Sequence, residues 1–150
     1  MIIKYKPTMN IHQALKYASS SDKVIGLYFS ASYCKYCTTF TPMLQSAYPR
    51  LRELGIEIIL VGSDKTEEAF EEYRKDHPWK HIDYNDEIRP DLRTMYGIKT
   101  IPALVFLDKD GKLITDNGRN LVVESNENPN IIASKLGQYS FEYNSDDEDF

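Results

Sequence analysis

An α/β sandwich with parallel central strands and an antiparallel edge is the fold this sequence predicts, on three observations. Two near-continuous apolar runs of strand length, "VIGLYFS" at 24–30 and "IEIILVGS" at 56–63, lack the polar alternation of a one-sided strand, as expected for strands covered on both faces. Each is followed by a segment with helical spacing. Further on, "PALVFLD", "KDGK" and "LITDN" read as a strand, a turn carrying Asp-Gly and a second strand, hence a hairpin.

The elements follow in order. Ile11, Ala14, Leu15 and Ala18 recur at helical spacing, and Asn10 is placed as an N-cap, so a first helix is expected over about 10–19. The strand at 24–30 leads into a long helix from near Cys34 towards Leu54, carrying the stripe Phe40, Met43, Leu44, Ala47, Tyr48 and Leu51. Pro42 removes one backbone donor inside it and predicts a kink, not an end, because the stripe stays in phase on both sides. After the strand at 56–63, Asp64 and Glu67 resemble a capping box opening "KTEEAFEEYRKDH". The segment 78–99 is irregular, with a short helix at Leu92 and Tyr96 capped by Gly97. The hairpin follows, and Ile131, Ile132, Leu136 and Tyr139 indicate a last helix from about 128–130.

The chain has 150 residues, enough for one domain with its own core, and no internal repeat or Gly-rich phosphate loop. One domain is expected over residues 1–140, with 141–150 an acidic tail expected to be disordered. The formal charge is -5, but the tail carries five acidic residues, leaving 18 acidic against 18 basic residues elsewhere. A neutral body does not recommend a nucleic-acid surface. No apolar stretch approaches the roughly 20 residues needed to cross a bilayer, so no membrane partner is expected. The N-terminus breaks its apolar character with lysines and a proline before a signal-peptide core can form, so a cytoplasmic location is expected.

Cys34 and Cys37 are the only cysteines, in "SASYCKYC". A staple is the weakest reading, since a two-residue loop restrains the unfolded chain very little. A metal site needs two more ligands. His77 and His81 in "HPWKH" supply a formal set, but a full helix and strand intervene and Pro78 disfavours an i, i+4 pairing. Both read as solvated histidines at a helix end, and His12 as an exposed helix residue; no metal or cofactor is expected. The redox reading rests on position. The pair lies at the carboxyl end of a buried strand and the amino end of a helix, where open α/β sheets place their chemistry. Unpaired N–H groups and the helix dipole there favour a thiolate on Cys34, with Lys35 adding a cation. Cys37, one turn later, faces inward, within disulfide reach and shielded from solvent. Cys34 is therefore the expected nucleophile on a substrate disulfide and Cys37 the resolving thiol.

These residues resemble a known superfamily. "YFSASYCKYC", Pro42 five residues after Cys37, and "YGIKTIPALVFLDKDGK" are similar to the thioredoxin superfamily, and most to its tryparedoxin and nucleoredoxin group, over about residues 22–120. The resemblance implies a three-layer thioredoxin-like sandwich, a mixed sheet with helices on both faces. It implies a cis peptide bond before Pro102, which faces the cysteines, and a backbone at Ile101 that pairs with an extended stretch of substrate. Tyr28 stands where thioredoxins proper usually have a buried aspartate. A tyrosine accepts protons poorly at neutral pH, so deprotonation of Cys37 must rely on water or an acid elsewhere. The long segment between Asp64 and Tyr96, with its Pro78-Trp79 pair, also resembles that group. Three departures touch the active surface: Tyr33 for the usual tryptophan, Lys35-Tyr36 for Pro-Pro or Gly-Pro, and Ser63 where tryptophan often precedes the acid. Tyr33, Lys35, Tyr36, Ile101 and Pro102 are the candidate substrate-binding residues.

The expected function is reduction of protein disulfides, with disulfide-containing proteins as substrates, a dithiol or reductase protein as electron donor, and a monomeric chain. An oxidase or isomerase, and a peptide-binding module without turnover, are the alternatives.

Overall fold

The structure, a computed structural model, describes residues 16–19 and 22–148, with side chains up to 139. Most of the helix expected over 10–19, with His12, lies outside the described residues; residues 16–18 form turns and a bend. The elements are β1 (Val24–Ser30), α1 (Lys35–Glu53), β2 (Ile56–Gly62), α2 (Glu67–Arg74), β3 (Lys80–His81), α3 (Ile88–Met95), β4 (Ala103–Asp108), β5 (Leu113–Thr115), α4 (Gly118–Glu124) and α5 (Pro129–Glu148).

The five strands form one sheet in the order β3-β2-β1-β4-β5. β1 runs parallel to β2, from Val24 opposite Ile56 to Ser30 opposite Gly62, and antiparallel to β4, with Phe29 opposite Ala103. β3 joins β2 in parallel and β5 closes the other edge antiparallel to β4. The antiparallel part thus begins at the central strand itself and includes the whole hairpin. The fold is a thioredoxin-like α/β sandwich with a mixed sheet.

Strand parity divides the core into two layers. Tyr28, Ile58, Leu60, Leu104 and Phe106 face one side, where Phe40, Leu44, Ala47 and Leu51 of α1, Val122 of α4 and Leu136 of α5 cover them. Leu27, Phe29, Ile59, Val61 and Val105 face the other, under Ile88 and Leu92 of α3. Both faces are therefore covered, which is why β1 and β2 carry no apolar-polar alternation. Glu57, on β2 and only 1% exposed, is the exception. Its carboxylate accepts from the Tyr48 hydroxyl and the Ile58 N–H, each at 2.8 Å, and lies 3.3 Å from the Arg52 guanidinium, which also reaches Asp22 at 2.6 Å.

α1 contains two prolines, Pro42 and Pro49, and runs through both. Each removes one intrahelical bond, to the carbonyls of Thr38 and Gln45, while the apolar stripe holds the helix against the sheet. Other local expectations need correction. The cap of α2 is Thr66, whose hydroxyl accepts from the Ala69 N–H at 3.1 Å, and not Asp64. Gly97, with φ +59°, closes α3 as expected, in a Schellman motif: its N–H bonds the Thr94 carbonyl and that of Ile98 the Arg93 carbonyl. β3 and α4 are additional to the predicted elements. A Cβ at Gly118, the first residue of α4, would lie 2.7 Å from the Leu104 carbonyl, so the glycine lets this short helix lie directly on β4. The α5 backbone continues through 141–148, where the sequence predicts a disordered tail; no proline or glycine after Gly137 interrupts it.

Candidate active site

The sheet brings the cysteines and Pro102 together by strand direction alone. Since β1 and β4 are antiparallel, the carboxyl end of β1, which leads to Cys34, lies beside the amino end of β4, which follows Pro102. The parallel register of β1 with β2 places Ser63 and Asp64 at the same end, where the Ser63 N–H bonds the Ser30 carbonyl at 2.9 Å.

Cys34 is the N-cap of α1, in extended conformation, and its Sγ accepts from the Cys37 N–H at 3.2 Å. Sulfur here occupies the place usually taken by a serine or aspartate oxygen. Its thiol also reaches the Ile101 carbonyl at 3.5 Å, across the cis Ile101-Pro102 bond. Ile101, the residue expected to pair with substrate, thus presents its carbonyl to the thiol. Both cysteines are free thiols; Cys34 is 9% exposed and Cys37 fully buried. Burial pushes the Cys37 thiol up to about 11, reinforced by the adjoining Cys34 sulfur, while the Ser30 hydroxyl and the Ala31 backbone pull in the opposite direction.

The rim is aromatic and basic. Tyr33 and Tyr36 are 60% and 67% exposed, Lys35 is exposed, and the Lys65 ammonium lies 5.7 Å from the centre of the Tyr33 ring. Pro102 is buried beneath this surface.

Two sets of contacts at this end are not predicted by the sequence. Asp64, only 3% exposed, accepts from the Ser32 N–H at 3.0 Å and from the Ser32 hydroxyl through the same Oδ1, and so ties down the loop entering Cys34. Its Asp-x-x-Glu spacing mimics a helix cap, which hides this long-range role. Beneath Cys37 lie four hydroxyls: Tyr28 and Thr41 are 2.6 Å apart, as are Ser30 and Tyr73. Tyr28 is fully buried with its phenol pushed up by burial, which makes it a poorer proton acceptor still.

The histidines differ from the expected solvated pair. Both are half-buried and edge-on to aromatic rings, His77 against Tyr73 at 4.4 Å and His81 against Phe70 at 5.7 Å, and burial lowers the pKa of each. Among the described residues no three His, Cys, Asp or Glu side chains are grouped to hold a metal. Among the same residues no helix is long and apolar enough to cross a membrane.

A family model described as thioredoxin-like matches residues 22–113. Nucleoredoxin of Homo sapiens is 40% identical over 113 residues, which are 73% of this chain and 26% of that protein. The probable nucleoredoxin 1 of Arabidopsis thaliana is 38% identical over 115 residues, 75% of this chain and 20% of that protein. The chain spans about a quarter of the length of the curated nucleoredoxins it matches. Among solved structures, tryparedoxin II from C. fasciculata superposes with a TM-score of 0.66 at 34% identity, over 70% of this chain and 71% of that one. Tryparedoxin I from Leishmania major gives 0.69 at 29% identity, over 77% and 92%. With Cys34-x-x-Cys37 at the end of β1 and a cis proline facing it, this chain belongs to the thioredoxin-like oxidoreductase family, in its tryparedoxin and nucleoredoxin group.

Proposed function

We propose that this chain reduces protein disulfides. The observation that carries the reading is the asymmetry of the pair: Cys34 at the rim with an N–H aimed at its sulfur, Cys37 fully buried one turn behind. The Cys34 thiolate attacks one sulfur of a substrate disulfide, forming a mixed disulfide and releasing the other sulfur as a thiolate. Cys37 then attacks Cys34 Sγ; the bond to substrate breaks, the second substrate sulfur leaves reduced, and Cys34–Cys37 closes. Two electrons pass from the dithiol to the substrate, and an outside dithiol or reductase protein restores the pair.

The carbonyl of Ile101 and the neighbouring Pro102 offer an edge to an extended substrate segment, and Tyr33, Lys35 and Tyr36 form the surface it meets. A small thiol is one class of donor: the related tryparedoxin II, 31% identical, has been determined complexed with glutathionylspermidine. Working as a monomer in a reducing compartment such as the cytoplasm fits a reductase, since its product thiols persist there.

The test is turnover of insulin disulfides with dithiothreitol as donor. Wild type is expected to accelerate reduction and Cys34→Ser to fall to the uncatalysed rate. Cys37→Ser is expected to attack once and accumulate as a mixed disulfide, visible by mass under non-reducing conditions. A Cys34→Ser protein as active as wild type overturns the assignment.

A further inference from the structure

The reductase reading leaves one proton without a path. When Cys37 attacks Cys34 Sγ it must lose its thiol hydrogen, yet its side chain is fully buried, and Tyr28 on β1 is equally buried. A buried phenol is no base at neutral pH. Ser30 lies on the same face of β1 as Tyr28, two residues on, and is itself fully buried. Its hydroxyl is 2.6 Å from that of Tyr73, and either oxygen of the pair can donate. Tyr73, on α2, is half-buried, the one residue of the four that is partly exposed; Tyr28, Thr41 and Ser30 are all buried.

We propose, resting on the disulfide-reductase function above, that Ser30 and Tyr73 are the proton exit of the resolving cysteine, Ser30 receiving the Cys37 proton while handing its own through Tyr73 to solvent. The step balances. Cys37 S–H and the mixed disulfide Cys34–S–S–R give Cys34–Cys37, the thiolate R–S⁻ and one proton. That proton is delivered to water by one transfer from sulfur to the Ser30 oxygen, one from Ser30 to the Tyr73 oxygen and one from Tyr73 outward. Each hydroxyl gains one proton as it gives one up, so no tyrosinate is formed. That is the required order of events, because burial and the nearby Asp64 charge both oppose ionisation of Tyr73. The Ser30 hydroxyl is also among the groups that favour the Cys37 thiolate against burial. The titratable groups facing this cluster are Cys34 at the N-cap of α1, Tyr28 on β1, Asp64 beyond β2, and His77 beyond α2, whose ring meets Tyr73 edge-on.

The experiment reacts the reduced full chain with dithiobisnitrobenzoate, which releases one coloured thiolate when Cys34 attacks and a second when Cys37 resolves the adduct. Wild type, Ser30→Ala, Ser30→Thr and Tyr73→Phe are compared from about pH 6 to 10. In Ser30→Ala and Tyr73→Phe the first release is expected to match wild type within about twofold and the second to slow at least about tenfold at neutral pH. That gap is expected to narrow as pH rises and hydroxide takes over the deprotonation, and Ser30→Thr, which keeps the hydroxyl, is expected to recover the second release. A second release unchanged in both Ser30→Ala and Tyr73→Phe overturns the relay, and so does slowing of both releases by a constant factor at every pH. If wild type itself yields no second release, the reductase function fails first and takes the relay with it.

Discussion

Cys34 caps α1 with its Sγ, which accepts the Cys37 N–H, and under the proposed reaction the same atom is the one that attacks the substrate disulfide. Cys37 is fully buried, with its thiol raised from 9.0 to about 11. The native chain therefore keeps a proton that the unfolded chain loses above about pH 9. A raised pKa contributes stability that is complete below the unfolded value and lost as pH passes through the folded one. The reduced protein is accordingly expected to lose stability between about pH 9 and 11, by on the order of 2 kcal/mol more than Cys37→Ser, which has no thiol to titrate there. Denaturant titrations of the two reduced proteins at each pH measure the difference; parallel curves contradict it.

β1 is the element on which the others depend, flanked by β2 from Val24 to Ser30 and by β4 from Val24 to Phe29, and delivering Tyr28, Ser30 and the cysteine loop. Gly26 lets Ile58 and Phe106 meet over it, and a Cβ there would stand 2.8 Å from both side chains. Gly26→Ala is expected to destabilise the fold by about 1–3 kcal/mol by overpacking, with the cysteine chemistry of the surviving folded protein intact. Thermal unfolding beside thiol counting separates the two effects. Strands of this kind are the most readable part of the sequence: apolar runs without alternation gave β1 and β2 nearly to the residue, and the Asp-Gly turn gave β4 and β5. β3 has two residues and no period to detect. α4 begins at a glycine and spans two turns, and only its close seat on Leu104 explains why it forms.

In the molecule as a whole, the candidate site was legible where its parts are adjacent residues and hidden where it is assembled across the chain. The spacing of Cys34 and Cys37 at a strand-helix junction pointed to their place, and the resemblance added the cis bond at Pro102, which the structure contains. Asp64 and Ser32 are 32 positions apart, and Ser30 and Tyr73 are 43 apart, so no local pattern could pair them. The histidines misled in the other direction, since polar residues after a helix look solvated until β3 and Trp79 enclose them. All of these parts converge on one dithiol, whose reduction potential is set by how the fold treats thiol against disulfide. The first measurement is therefore that potential, by equilibrating the protein in glutathione or dithiothreitol buffers, alkylating, and counting free thiols by mass. A single Cys34–Cys37 disulfide with a potential near about −270 mV is the expected result for a reductase; a potential near about −180 mV or higher, or no intramolecular disulfide at all, contradicts it.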